Sequence, residues 1–251
     1  MADISTYTQD YWQNLKAFTN ARIALGRAGG SLNTEEQLRL ARAHALARDA
    51  VHAHMDSDLL QQSLAQHALS FLTLNTQAKD RKQFLLRPDW GRKLQAESAE
   101  QLIQHQGNYD ISLIIGDGLS AKAIHAHVPA VFDALIPKLK EHYRLSPVSL
   151  VQQARVAVSD EIGEGLNSKI AVIFIGERPG LSAAESLGIY LTYQPSKGLT
   201  DEKRNCISNV RPEGMPYQLA ADKLAFLIGD SLRRKLSGVR LKDDLPISLE
   251  G

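Results

Sequence analysis

The residues best suited to chemistry lie in three segments that follow short apolar runs. Asp117 stands between two glycines just after the run at 111–115, and Glu177 begins a charged turn after another run. Cys206, the only cysteine, lies in a stretch rich in Asn, Ser and Arg. A carboxylate in such a loop accepts hydrogen bonds from ligand amides or hydroxyls, and a thiol becomes a nucleophile when a base activates it. These three residues are the first candidates for a site.

Each candidate also has a plain structural interpretation. Asp117 precedes a predicted helix, and aspartate is a common N-terminal cap. Glu177 is consistent with a carboxylate that faces solvent, and Cys206 with a small buried hydrophobic residue. No histidine follows His142, so the local sequence offers no base for the thiol. The glycines beside Asp117 do not complete the dinucleotide pattern G-x-G-x-x-G, because Ala121 stands where the last glycine belongs.

The first hundred residues show mainly helical periodicity. It predicts helices over 15–27, over 56–72 and over 89–105, and a further helix that begins after a cap at Asn33 or Thr34. From position 109 onward the pattern changes, and short apolar runs alternate with helical stretches.

The second pattern determines the predicted fold. A helix is predicted over 120–142, and strands are predicted over 111–115, 148–151, 171–175, 189–193 and 239–241. This alternation is typical of an α/β fold with a Rossmann-like, mostly parallel sheet and helices on both faces. We therefore divide the chain into an α-helical N-terminal region, 1–105, and a Rossmann-like domain, 106–251. In such sheets ligands bind beyond the carboxyl ends of the strands, where we expect the three candidates to lie.

The composition narrows the classes of partner. The chain has 251 residues, with 29 Lys and Arg against 28 Asp and Glu, so its net charge of +1 points neither to nucleic acid nor to a membrane surface. A single cysteine forms no intrachain disulfide, and the first ten residues lack the apolar core of a signal peptide. We expect a cytoplasmic protein with no membrane-spanning segment.

Six motifs in the same order resemble the small (light) subunit of ethanolamine ammonia-lyase. They lie at 19–32, 47–52, 87–92, 117–121, 176–181 and 204–209. The most specific two read Gly176-Glu177-Arg178-Pro179-Gly180-Leu181 and Arg204-Asn205-Cys206-Ile207-Ser208-Asn209. The resemblance extends from about residue 19 to near residue 242.

The resemblance implies a lyase that converts ethanolamine to acetaldehyde and ammonia by radical chemistry with adenosylcobalamin. It implies a large, barrel-shaped catalytic subunit that holds the substrate, with the cobalamin between the two subunits in a higher hetero-oligomer. Carried over residue by residue, the cobalamin contacts fall on Val156, Glu177 and Cys206, all in the domain 106–251. The resemblance assigns no catalytic residue and no metal ligand to this chain, which would be inactive alone.

Two further implications concern the cofactor and the compartment. The sequence lacks the Asp-x-His-x-x-Gly stretch that supplies a histidine to cobalt in other cobalamin proteins. The resemblance therefore implies that the benzimidazole of the cofactor remains the lower ligand of cobalt. Through the pathway of the family, the resemblance also implies packing inside a bacterial microcompartment.

Two other interpretations follow from the residues themselves. The chain could be a stand-alone Rossmann-like hydrolase or deaminase that uses Asp117, Glu177 and Cys206, although no activating base accompanies the thiol. It could also be a nucleotide-binding regulatory module, although the glycine pattern is incomplete and no acidic anchor for a ribose is evident.

Overall fold

The computed structural model describes residues 14–19 and 21–242. The α-helices of this part of the chain are α1 (Thr34–His52), α2 (Ser57–Ser63), α3 (Arg81–Leu86), α4 (Ala96–Gln104), α5 (Ala121–Lys140), α6 (Val158–Gly165) and α7 (Tyr217–Arg234). Its strands are β1 (Arg27–Ala28), β2 (Ser31–Leu32), β3 (Phe71–Asn75), β4 (Tyr109–Gly116), β5 (Val148–Gln152), β6 (Ser168–Gly176), β7 (Leu187–Tyr193) and β8 (Arg204–Val210). Among the described residues, none of the helices combines the length and apolar character needed to span a bilayer.

Strands β3 to β8 form one six-stranded sheet in the order β3-β5-β4-β6-β7-β8. The first four strands in this order are parallel, and β7 is antiparallel to both of its neighbours, so β8 runs in the same direction as β6. The carboxyl ends of β4, β5, β6 and β8 therefore meet at one edge of the sheet. The predicted α/β fold with a mostly parallel sheet is confirmed.

Two apolar layers enclose the sheet. Successive strand residues point to opposite faces, so Leu113 joins the layer beneath α5 and α7, and Ile114 joins the layer beneath α4 and α6. Phe132 on α5 packs edge-on against Phe174 on β6, with ring centroids 5.0 Å apart. Because both faces are covered, β4 and β6 are buried along most of their length, as their apolar runs predict.

Several predicted elements are confirmed. The predicted strands at 111–115, 148–151, 171–175 and 189–193 lie within β4, β5, β6 and β7. The helix predicted from 120 is α5, and the Ser120 hydroxyl accepts a hydrogen bond from the Ala123 N–H at 3.3 Å. The cap predicted for α1 is Asn33, whose side-chain oxygen accepts from the Glu36 N–H at 2.9 Å.

The helix predicted over 56–72 is wrong beyond Ser63, where α2 ends. The chain then enters β3, in which Leu72 and Leu74 are buried and Thr73 is exposed. This alternation is that of an edge strand with one buried face, and β3 pairs in parallel with β5. The N-terminal region 1–105 is therefore not wholly helical, because it supplies one strand to the sheet of the second region.

Three other predicted elements differ from the structure. The helix predicted over 15–27 is wrong, because the chain is extended at Thr19 and β1 begins at Arg27, the last residue of the predicted helix. The helix predicted over 89–105 begins only at α4, after a 3₁₀ turn. The strand predicted over 239–241 is wrong, since Gly238 has a positive φ of 80° and begins a 3₁₀ turn.

Candidate functional site

Asp117 follows β4, and its side chain binds main-chain N–H groups. Its carboxylate accepts hydrogen bonds from the N–H groups of Gln153 and Ala154, at 3.0 and 2.9 Å, and lies 3.8 Å from the Arg81 guanidinium. The residue is buried, and burial raises its pKa while the two N–H groups oppose that shift. Ser120, not Asp117, caps α5, so the capping interpretation of Asp117 is wrong. This carboxylate ties the end of β4 to the end of β5.

Glu177 directly follows β6 and is held by two neighbours. One carboxylate oxygen, Oε2, accepts from the Ser186 hydroxyl at 2.6 Å, and both oxygens lie 3.2 Å from the Asn209 N–H. Gly188 on β7 makes room for this arrangement, because a Cβ atom there would lie 3.2 Å from Oε1 of Glu177. Oε1 receives only the Asn209 contact among the described residues, so it retains capacity to accept a further hydrogen bond.

Cys206 lies within strand β8, opposite Tyr190 of β7. The prediction that it occupies a loop after the fourth strand is wrong, and so is its interpretation as a buried hydrophobic residue, because it is exposed. Tyr190 is the cross-strand neighbour of the thiol. Desolvation against the sheet raises the pKa of Cys206, the neighbouring Tyr190 lowers it, and the charge of Glu177 raises it further. The thiol is thus kept protonated near neutral pH.

These three residues do not provide the chemistry of a stand-alone hydrolase. Asp117 is committed to main-chain N–H groups, and the group beside Cys206 is Tyr190, whose own pKa is raised chiefly by burial. A tyrosine that holds its proton is no base for a thiol.

A cavity of about 490 Å³ opens beside β7 and β8. Val156 and Cys206 both line it, together with Tyr190. Glu177 is not among the lining residues, but it stands directly beyond Tyr190, since a Cβ atom on Gly188 would lie 3.2 Å from both side chains. The structure therefore brings two of the three predicted contacts into one cavity and places the third beside it.

Val156 lies between β5 and α6. Its carbonyl accepts from the Ser159 N–H at 3.1 Å, which begins the first helical turn. The preceding N–H, that of Arg155, donates to the carbonyl of Gly91 at 2.8 Å. This bond fixes the segment against the 3₁₀ turn at Trp90–Arg92 and presents Val156 to the cavity.

Arg204 builds the far wall of the cavity. Only 2% of its side chain is exposed, and its guanidinium donates to both carboxylate oxygens of Asp160, at 2.6 and 2.8 Å. It also donates to the carbonyl of Leu199 at 3.2 Å and contacts the exposed Asp201 at the same distance. This bidentate ion pair joins β8 to α6, and the contacts of Arg204 with Leu199 and Asp201 hold the loop that borders the cavity.

The lining residues that were not singled out as site residues from the sequence include Tyr190, Arg92, Arg155 and Arg204. Arg92 and Arg204 lie inside the motifs at 87–92 and 204–209, and Arg155 directly precedes Val156. Tyr190 gives no such signal, because it stands in an apolar strand where an aromatic residue is ordinary.

A second cavity, of about 420 Å³, adjoins the first and shares Arg92, Ala157 and Leu199 with it. The two form one open groove along α6, which we call the α6 groove. Within the described residues, no cluster of three or more His, Cys, Asp or Glu side chains is arranged to hold a metal ion.

An open groove of mixed apolar and cationic lining, which extends from the turn after β5 to the first residues of β8, is typical of ligand sites in α/β proteins. The family model described as the ethanolamine ammonia-lyase light chain matches residues 9–242. The chain belongs to this family, as the order of its motifs predicts.

Curated relatives agree with this assignment. The chain is 49% identical over 253 residues to the ethanolamine ammonia-lyase small subunit of Azotobacter vinelandii, with 99% of this chain and 94% of that one covered. It is 49% identical to the same subunit of Ralstonia nicotianae, with 98% and 93% covered. It is 48% identical to that of Xanthomonas campestris pv. campestris, with 100% and 94% covered.

Proposed function

We propose that this chain is the small subunit of an adenosylcobalamin-dependent ethanolamine ammonia-lyase, and that its α6 groove holds one side of the cobalamin against a large catalytic subunit. The observation that carries the proposal is the convergence of Val156 and Cys206 on one cavity, with Glu177 beside it. The family supplies the reaction, the conversion of ethanolamine to acetaldehyde and ammonia.

The residues of the groove suit this cofactor. Cobalamin carries amide side arms around a broad ring, and Oε1 of Glu177 has room for one more N–H donor. The thiol of Cys206 and the backbone and side chain of Val156 offer small contacts that a broad ring can approach closely. The groove is open and covers one face of such a molecule, so a partner subunit must cover the other face.

This chain would bind the cofactor, whereas the large subunit would supply the groups that act on the substrate. Bound cobalamin supplies radical chemistry through homolytic cleavage of its cobalt–carbon bond. The residues of this chain bind the cofactor, orient it and exclude water from its exposed side. Since neither Asp117 nor Cys206 is poised to move a proton, the groups that act on ethanolamine belong to the large subunit.

The assembly is tested by co-expression with the large subunit and titration of the purified complex with cobalamin, followed by its absorption spectrum. We expect a hetero-oligomer that binds the cofactor and releases ammonia from ethanolamine, whereas this chain alone releases none. Ammonia release by the rigorously purified single chain would overturn the proposal and support the hydrolase or deaminase interpretation. The same proposal places the complex in the cytoplasm, with a bacterial microcompartment as its expected setting.

A further inference from the structure

The α6 groove contains a cluster of positive charge that the contacts described so far do not use. We propose that Arg92 and Arg155, together with the main-chain N–H groups of Val156 and Ala157, form an anion subsite that takes a phosphodiester group of the bound ligand. The identity of the ligand rests on the proposed function, and the subsite names which part of the cofactor this end of the groove recognises.

The two arginines converge from distant segments. Both line the cavity of about 490 Å³, Arg92 from the turn before α4 and Arg155 from the turn before α6. Arg92 is exposed, and no ion pair within the described part of the chain engages its guanidinium. It is therefore free to reach a ligand.

Arg155 is oriented but incompletely satisfied. Its guanidinium stacks on the ring of Phe84 at 4.0 Å, and one terminal nitrogen donates to the carbonyl of Phe84 at 3.2 Å. Its Nε atom is buried and has no hydrogen-bond partner among the described residues. A buried donor without a partner is costly, so the protein alone leaves this arginine incompletely hydrogen-bonded.

The charge around Arg155 is not neutralised. Desolvation lowers the pKa of Arg155 most, and the charges of Arg81, Arg92 and Arg178 lower it further. Asp117 is the one opposing charge, and its carboxylate is already bound by two N–H groups. Asp201 also lines this cavity, but it lies beside Arg204, so an anion that enters next to Arg92 and Arg155 would meet a net positive field.

The start of α6 adds two donors. The N–H groups of Val158, Ser159 and Asp160 bond to the carbonyls of the preceding turn at 3.0, 3.1 and 3.3 Å, and no side chain caps the helix. The N–H groups of Val156 and Ala157 donate no hydrogen bond within the described residues. Free N–H groups at a helix start favour an anion.

A phosphodiester suits this set of donors best. A guanidinium pairs with two phosphate oxygens at once, which fixes the direction of the ligand. The nucleotide loop of cobalamin carries one phosphodiester, whereas the arms around its ring are neutral amides. A single anion subsite in the groove therefore sets the orientation in which the cofactor lies.

The test compares two corrinoids on the complex with the large subunit. Cyanocobalamin carries the nucleotide loop, and dicyanocobinamide lacks both the loop and its phosphodiester. Equilibrium titrations followed by absorbance give a dissociation constant for each. Arg92→Gln changes an exposed residue and keeps the fold, so it is the primary variant. Arg155→Gln is the second.

We expect each variant to weaken cyanocobalamin about 10- to 100-fold, the usual effect of losing a charged hydrogen bond, and to leave dicyanocobinamide unchanged. Arg87→Gln is the matched control: this exposed arginine is paired with Asp89 at 2.7 Å and does not line the groove, so neither corrinoid should respond.

Three outcomes overturn the subsite. If both variants bind cyanocobalamin as the unaltered complex does, or if they weaken both corrinoids equally, no phosphodiester is recognised here, while the proposed function stands. If the unaltered complex binds neither corrinoid, the proposed function fails and the subsite fails with it.

Discussion

At the scale of single residues, Glu177 and Cys206 flank Tyr190 and differ in what holds them. Glu177 is restrained by Ser186 and by the Asn209 N–H, whereas Cys206 is positioned by its strand, opposite Tyr190. We therefore expect the carboxylate to act as a fixed acceptor for the cofactor and the thiol to act through its size. These roles lead to different expectations for their variants.

Replacing Glu177 with alanine should weaken cobalamin binding about 5- to 150-fold, because a ligand donor loses its acceptor in a covered interface. Titration of the reconstituted complex measures the effect. Ser186→Ala is the control, since it removes only the internal hydrogen bond to Oε2 and leaves the acceptor in place. An unchanged titration for Glu177→Ala would show that this carboxylate does not touch the cofactor.

Replacing Cys206 with alanine should preserve most of the turnover at saturating cobalamin, because the protonated thiol contributes shape and not nucleophilicity. Cys206→Trp, which fills the cavity, should lose cofactor binding. Cys206→Ser retains a hydrogen-bonding group for Tyr190 and serves as the conservative control. Normal binding with abolished turnover in Cys206→Ala would instead make the thiol a chemical participant.

The raised pKa of Cys206 also predicts its reactivity. Because desolvation keeps the thiol protonated, alkylation by iodoacetamide at pH 8 should be slower in the folded chain than in the denatured chain. The rate should continue to rise above pH 9, the ordinary value for the group. Since the chain has one cysteine, the reaction reports this site alone. An equal rate in the two states would contradict the shift.

At the scale of elements, the bidentate ion pair between Arg204 on β8 and Asp160 on α6 stabilises the wall of the groove. Asp160→Ala leaves the guanidinium buried without its main partner, so we expect a loss of about 3–5 kcal/mol in the free energy of unfolding. Urea denaturation measures the loss as a lower midpoint with an unchanged slope. Asp201→Ala is the control, because that side chain is 93% exposed and its pair should contribute less than about 1 kcal/mol. Equal losses would contradict the assignment.

The sequence pattern predicts best those elements whose burial follows one simple rule along their whole length. β4 and β6 are apolar because both faces are covered, and α5 shows both its cap and its buried stripe. β3 and β8 are edge strands with mixed burial, and their residues resemble helix or loop in isolation. Their assignment depends on pairing with β5 and β7, which are distant in the chain.

At the scale of the whole molecule, Arg81 joins the last turn of α1 to the carboxyl edge of the sheet. The Arg81 guanidinium donates both to the carbonyl of Val51, near the end of α1, and to the carbonyl of Gly118 at the carboxyl edge of the sheet. Ala50 is the one buried residue of α1, and Leu38 is 66% exposed. We expect the large subunit to cover this exposed side of α1 as well as the groove.

Leu38→Glu should weaken assembly with the large subunit at least tenfold, because burying a charge at an apolar contact is costly. The fold should be unaffected, since the position is exposed in the single chain. Size-exclusion chromatography measures assembly, and circular dichroism checks the fold. Ile103→Glu is matched in exposure, at 68%, but lies on α4 near the amino end of β4, away from the groove, so it should assemble normally. Normal assembly of Leu38→Glu would exclude α1 from the interface.

The sequence by itself determined the family, through the order of its motifs, and the buried strands, through apolar runs whose burial is a local property. It also indicated Val156, Glu177 and Cys206 through the resemblance. Only the tertiary structure decided that Asp117 serves the main chain, that Cys206 faces Tyr190 across two strands, and that Arg92 and Arg155 meet in one groove. The physical reason is that such encounters depend on strand order and on side-chain direction. Strand order and side-chain direction both result from pairing between segments distant in the chain, and such pairing produces no periodic pattern in the sequence.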